Sequence, residues 1–257
     1  MNRSTGTLSI AIVLALLVAA WQAYIWASRI PSYVLPTPFE TARAVVDNAP
    51  LLAQRSLVTL EGAVFGLAAA VVLAVALALV IVRWPIAEQV IVTYALVIRT
   101  LPIVGVAPIV TLVSGRGLAT SVLCVTVITV FALLVTVTQG FETVPREVDE
   151  LTRLYATPFR RRFRLALLPA AVASVLQGLR VAAPLAVLGA LLAEWLDGYA
   201  GIGSLMITAS ANQEVELLMA ACMAAVALSL FAYALVEIAT ALAARRGFRV
   251  DDIRIGR

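Results

Sequence analysis

The chain of 257 residues is 62% hydrophobic and 13% charged, against roughly 45–50% and about 25% for an ordinary soluble domain, which excludes a single soluble globule. All 19 basic residues are arginine, and Lys and His are absent, so a phosphate-binding loop lacks its lysine and His-based acid–base or triad chemistry is impossible. Any ATP must therefore be hydrolysed by another chain.

At roughly 20 apolar residues per crossing, six stretches qualify as spanning helices, at roughly 8–28, 57–82, 88–113, 118–139, 172–194 and 217–243. They form one integral-membrane domain over 1–257 with an all-α fold. The first follows Arg3 and shows no small-residue cleavage site before Arg29, as expected of a retained helix rather than a signal peptide. In the second, Glu61 accompanies Gly62 and Gly66, a small-xxx-small pair that lets helices approach closely. The third carries Arg99 about halfway along, where a charge normally faces a cavity or a partner. Its alternatives are an ion pair with Glu88 or Glu237, or snorkelling toward the cytoplasm. Pro102 and Pro108 interrupt the same helix and free backbone carbonyls, tolerated in a membrane only where protein or a water-filled cavity satisfies them. Pro184 does the same in the fifth helix, so helices three and five are expected to face a translocation route. Arg180, early in the fifth helix, should reach headgroups or the loop before it. Glu194 and Asp197 at the outer end of that helix suit a gate, a partner contact or a solvated helix end. Cys124 and Cys222 are packing residues inside apolar segments. Trp21, Trp26, Tyr33 and Trp84 are interface aromatics.

Thirteen of the 19 arginines fall at the two termini, at Arg83 and in the segment 140–171, whereas Arg29, Arg43, Arg55 and Arg116 lie on the opposite side. Cytoplasmic loops are enriched in positive charge, which places both termini and 140–171 inside and the loops near 30–56 and 195–216 outside. The +4 net charge is thereby explained by topology, and no nucleic-acid partner is needed.

The segment 140–171 carries helix punctuation. Pro145 can open a helix whose positive end receives Glu147, Asp149 and Glu150. Val148, Leu151 and Tyr155 recur at helical spacing. Thr157–Pro158 is a second start signal, followed by Phe159, Phe163, Leu167 and Leu168 as an apolar stripe among Arg160, Arg161, Arg162 and Arg164. Pro169 ends this helix or bends it into the fifth span. Two short amphipathic helices at a membrane face suit either an interfacial anchor or a docking element for a soluble partner.

This segment resembles the EAA loop of ABC importer permeases of the binding-protein-dependent type. Leu168–Pro169 close the motif, Ala156 stands at its Gly position and Glu150 at its Glu position, with Leu151 and Thr152 replacing the two alanines. Further resemblance lies in Leu35–Pro36–Thr37–Pro38, the Pro102 to Pro108 stretch, Gly115 and Gly117, Gly178–Leu179–Arg180, and the run from Ala193–Glu194–Trp195 to Gly201–Ile202–Gly203. The chain looks closest to the nitrate, sulfonate and taurine branch. The resemblance implies a type I permease of the bacterial inner membrane: two such chains as a homodimer, two ATP-binding subunits and an extracytoplasmic solute-binding protein. ATP and Mg would sit on the partner subunit, with no cofactor or metal on this chain, which is not itself an enzyme. It further implies that Asp149, Glu150, Leu151, Arg153, Leu154, Tyr155, Ala156, Thr157, Pro158, Phe159, Arg160, Arg161 and Phe163 couple to the ATPase; in such an importer the embedded charge and helix breaks at Arg99, Pro102, Pro108 and Pro184, with Glu194, would line the path. Because Ala156 loses glycine's access to left-handed backbone, Thr157–Pro158 would supply the bend.

An organic sulfonate, taurine or nitrate-like anion fits a lone path cation. A thiamine-precursor pyrimidine or another heteroaromatic solute is the alternative. An ion-coupled carrier would need mid-depth carboxylates, but Glu61, Glu194 and Glu237 fall nearer the span ends. An intramembrane enzyme would need a catalytic constellation the chain does not carry.

Overall fold

A computed structural model describes residues 3–100, 102–144, 147, 151, 154–155 and 158–245. Its helices are α1 (Arg3–Ser28), α2 (Pro38–Asp47), α3 (Ala49–Arg83), α4 (Ile86–Thr100), α5 (Ile103–Ser114), α6 (Leu118–Glu142), α7 (Phe159–Arg162), α8 (Leu168–Asp197), α9 (Ile202–Ala211) and α10 (Val215–Arg245). A π-helical turn, Phe163–Leu167, joins α7 to α8. No strand occurs among the described residues. Among the described residues, four stretches are long and apolar enough to cross a membrane: α3, α6, the continuous Arg160–Asp197 helix and α10, with Ile12–Ser28 of α1 and α9 as shorter apolar helices.

The centre of the fold is α6, flanked by α3 and α8. On α3 a stripe of small residues recurs every fourth position, Gly62, Gly66, Ala70, Ala74 and Ala78, all buried. Lipid tails are as apolar as leucine, so helices in a membrane associate by close packing rather than by escape from water, and small residues allow that approach. Ala70, Ala74 and Ala78 join Leu133, Leu134 and Val137 of α6 and Leu167, Ala171 and Ala182 of the α8 arm in one buried cluster. A Cβ on Gly66 would overlap the Val125 side chain of α6 and come within 2.9 Å of the Val122 carbonyl oxygen, so a larger residue would force the two helices apart at this crossing.

The expected third span is two helices. Pro102 stands between α4 and α5 with extended backbone (φ −66°, ψ 110°), because proline lacks the amide a helix would use and disfavours helical backbone just before it. Together α4 and α5 follow one course along α6. Ile91, Val92 and Ala95 of α4 pack against the cluster that contains Ile81 and Phe141, and Val110 of α5 packs against Cys124 and Ala193.

Two short helices occupy segments expected to be loops. In α2, Thr37 accepts from the Glu40 amide at 3.2 Å while the Glu40 carboxylate accepts from the Thr37 amide at 2.7 Å, and Pro38 fills the first helical position. That reciprocal capping box satisfies two otherwise orphaned donors. Helix α9 packs against α8, α10 and α3, burying Ile202 and Leu205 among Ala44, Leu52, Ala220 and Ala221. By contrast, α1 buries only Ile25 among its described side chains and meets the bundle chiefly at α2.

Pro169 neither ends a separate amphipathic helix nor isolates the basic stripe from the fifth span. Arg160–Asp197 is continuous, and the Leu168 amide reaches back five residues to the Phe163 carbonyl. Proline at 169 has no N–H for the carbonyl four residues before it, and the widened turn accommodates that missing bond.

Candidate functional site

Arg99 lies in the last turn of α4, immediately before the helix break. Its guanidinium carbon sits 4.9 Å from the centroid of the Phe131 ring on α6. Phe131 is thirteen residues from Leu118 and eleven from Glu142, about 20 Å and about 16 Å along the axis at 1.5 Å per residue. The cation therefore stands about halfway along a span, exposed on the protein surface, with no carboxylate in ion-pair range among the described residues. Pro102 and Pro108 are likewise exposed, whereas Pro184 is half-buried.

The pairing considered for Arg99 goes to a different cation. Arg180 Nη2 donates to Glu237 Oε1 at 3.2 Å, and Arg180 Nε lies 3.0 Å from Oε2, tying α8 to α10. Arg180 is thus engaged by a carboxylate on α10 rather than reaching for headgroups or the coupling loop.

Glu194 does not line an open route and, like Asp197, is not at a solvated helix end. It is completely buried, and Asp197 is 6% exposed. Thr59 Oγ1 of α3 and the Gly203 amide of α9 both donate to Glu194 Oε2 at 2.9 Å. The Ile202 amide donates to Thr59 Oγ1, also at 2.9 Å. Asp197 accepts from the Gly117 amide at 3.0 Å and the Tyr199 amide at 2.7 Å. These two carboxylates, one helical turn apart on α8, bind α3, the α5–α6 turn and the start of α9 together. Gly201 must lack a side chain because its Cβ would overlap the Glu194 carboxylate. Sequence spacing could not find Thr59, which lies 135 positions from Glu194.

Of the residues expected to couple to an ATPase, Asp149, Glu150, Arg153, Ala156 and Thr157 fall outside the described residues. Leu154 and Tyr155 are 81% and 80% exposed, an apolar pair left uncovered by the other described residues. Leu151, Pro158, Arg160 and Arg161 are also exposed. Phe163 instead packs against the core cluster containing Phe141 and Leu167, so it roots the arm in the bundle. Phe159 begins α7.

At the opposite end of the bundle, a cleft of about 460 Å³ opens between the α1–α2 connection and the α9–α10 turn. Ser32, Tyr33, Asp47, Asn48 and 213–217 contribute to its wall.

Residues 66–248 match the family described as binding-protein-dependent transport system inner membrane component. A probable ABC transporter permease protein of Haemophilus influenzae is 28% identical over 231 residues, covering 86% of this chain and 91% of the relative. The formylaminopyrimidine transport permease protein ThiX of Halalkalibacterium halodurans is 29% identical, with 79% of this chain and 81% of the relative covered. The riboflavin transport system permease protein RibX of Chloroflexus aurantiacus is 28% identical, with 77% and 75% covered. Neither solute in these names is a sulfonate, taurine or nitrate. With its bundle of apolar helices, the chain belongs to the binding-protein-dependent transport system inner membrane components, the permease subunits of ABC importers.

Proposed function

We propose that this permease carries a planar nitrogen heteroaromatic solute inward across the bacterial inner membrane, past Arg99 and the α4–α5 break. The observation that carries this reading is the Arg99–Phe131 stack at mid-span. The guanidinium carbon lies over the ring at cation–π distance, and a flat guanidinium can stack a further planar group. The names of two relatives, for formylaminopyrimidine and riboflavin transport, point to the same solute chemistry. The second reading is an organic sulfonate, taurine or nitrate-like anion, favoured by the positive charge of Arg99 itself.

In this proposal two copies form the pathway as a homodimer, and two ATP-binding subunits, which hold ATP and Mg, dock on the exposed Leu151, Leu154, Tyr155 and Arg160–Arg161 surface. Both termini are cytoplasmic. The solute-binding protein faces the cleft between 32–48 and 213–217.

The test is to co-express the tagged chain with its chromosomal neighbours, purify the complex into liposomes and follow ATP-dependent uptake with the co-encoded receptor. Formylaminopyrimidine or riboflavin uptake exceeding taurine and nitrate uptake, and lost in Arg99→Gln, supports the first reading. Preferential taurine, sulfonate or nitrate uptake transfers support to the second. Uptake by the lone chain without ATP overturns the importer and restores the ion-coupled carrier.

A further inference from the structure

We propose that Glu194 is a positioning residue with two registers, a joint that lets α9 shift against α3 while both stay attached to α8. The inference rests on the importer reading above and adds to it a device at the end of the bundle remote from the ATPase arm.

Helix α9 begins at Gly201, which has no side chain with which to cap it. The first amides of any helix need acceptors, and here two of them are satisfied from other helices: Ile202 by Thr59 of α3 and Gly203 by Glu194 of α8. The first two amides of α9 are therefore held by side chains of other helices. A fixed cap would need only one carboxylate oxygen. Glu194 Oε2 makes both observed bonds, whereas Oε1 is buried without a hydrogen-bond partner among the described residues. A buried oxygen left unbonded is unfavourable, and a static joint gains nothing from it. In a second arrangement, the Ile202 amide passes from Thr59 Oγ1 to Glu194 Oε1, α9 slides relative to α3, and Gly203 keeps its bond to Oε2. The number of hydrogen bonds made by the two amides is the same in both registers, as a reversible device requires.

The charged neighbours leave room for this exchange. Asp197, three residues on, is occupied by the Gly117 and Tyr199 amides and keeps the turn fastened to α8. Arg55 lies one helical turn before Thr59, whose hydroxyl also approaches the Arg55 carbonyl oxygen at 3.3 Å, so the Thr59 hydroxyl has a second acceptor ready. The moving part matters because α9 leads directly into the α9–α10 turn that walls the outer cleft. The stretch Arg160–Asp197 is one uninterrupted helix of 38 residues, about 57 Å at 1.5 Å per residue, and it links that joint to the ATPase arm.

Glu194→Gln separates a joint from a cap. The glutamine carbonyl can keep the Thr59 and Gly203 bonds, but its amide nitrogen is a donor and cannot accept Ile202. In the reconstituted complex with its ATPase and solute-binding protein, the expected result is wild-type assembly, melting temperature and basal ATPase, with receptor-stimulated ATPase and uptake reduced about tenfold or more. Thr59→Ser, which retains the hydroxyl, should behave as wild type. Full receptor stimulation in Glu194→Gln overturns the joint, and so does a parallel fall of melting temperature and basal ATPase, which would mark Glu194 as a static cap. Failure of the wild-type complex to form or to respond to receptor would refute the importer reading instead.

Discussion

Replacing Gly66 by alanine tests whether the α3–α6 crossing is as tight as its geometry states. The added Cβ would overlap the Val125 Cβ, stand 2.7 Å from Val125 Cγ1 and 2.9 Å from the Val122 carbonyl oxygen. Ordinary contacts begin near 3.4 Å, so the helices must separate by about half an ångström or more. Overpacking of this kind costs about 1–3 kcal/mol, offset by up to about 1 kcal/mol of improved helix propensity. The separation also stretches the Thr126 hydroxyl bond to the Gly66 carbonyl, now 3.1 Å, a loss of about 1 kcal/mol. The net expectation is a loss of about 1–3 kcal/mol, or roughly 2–12 °C in melting temperature at about 2–4 °C per kcal/mol. Gly62→Ala meets Ser121 Cβ at 2.9 Å and no backbone atom, and should lose about half as much. Gly105→Ala meets only Pro102 Cγ at 3.8 Å and should melt at or slightly above wild type. The assay is thermal unfolding of the detergent-solubilised permease, followed by tryptophan fluorescence and size exclusion. Gly66→Ala melting at the wild-type temperature, or Gly105→Ala falling as far, would refute the packing argument.

The Arg180–Glu237 pair is partly exposed, at 33% and 48% of its side chains. A double-mutant cycle with Arg180→Gln and Glu237→Gln should therefore give a coupling of only about 0.2–1 kcal/mol, and a coupling above about 2 kcal/mol would show the pair to be desolvated. Pro169→Ala restores the amide whose absence accompanies the π turn, and relaxation to regular helix would rotate α7 by about 100° relative to α8. Receptor-stimulated ATPase should then fall while the melting temperature holds, and unchanged stimulation would mean that Pro169 does not set the turn.

The long spans were legible because a membrane imposes a length and an apolar composition that no loop satisfies. The division of the third span was written in Pro102, though as an interruption rather than as two helices. The start of α2 is also written in Thr37–Pro38 and Glu40, a capping box with proline at the first helical position. Other features had no local signal. The burial of Glu194 depends on Thr59 from α3, and the partner of Arg180 lies 57 positions away on α10, so neither follows from the charge of one residue in its own helix. Phe131 resembled any apolar core residue until the fold brought Arg99 onto its ring. The exposed Leu151 and Tyr155 were legible from helical spacing, because an amphipathic stripe is a local property, whereas the exposed Leu154 beside them lies outside that spacing.

The seam of Gly62, Gly66, Ala70, Ala74 and Ala78 on α3 has a consequence for how the protein divides stiffness from motion. Glycine and alanine have no side-chain rotamers to surrender when helices close, so order at this crossing is entropically cheap. A contact built largely from backbone and methyl groups also has few alternative packings to explore. The α3–α6 pair is therefore suited to be the stationary frame of the subunit, against which the short α9 of the proposed joint can be displaced without loosening the whole.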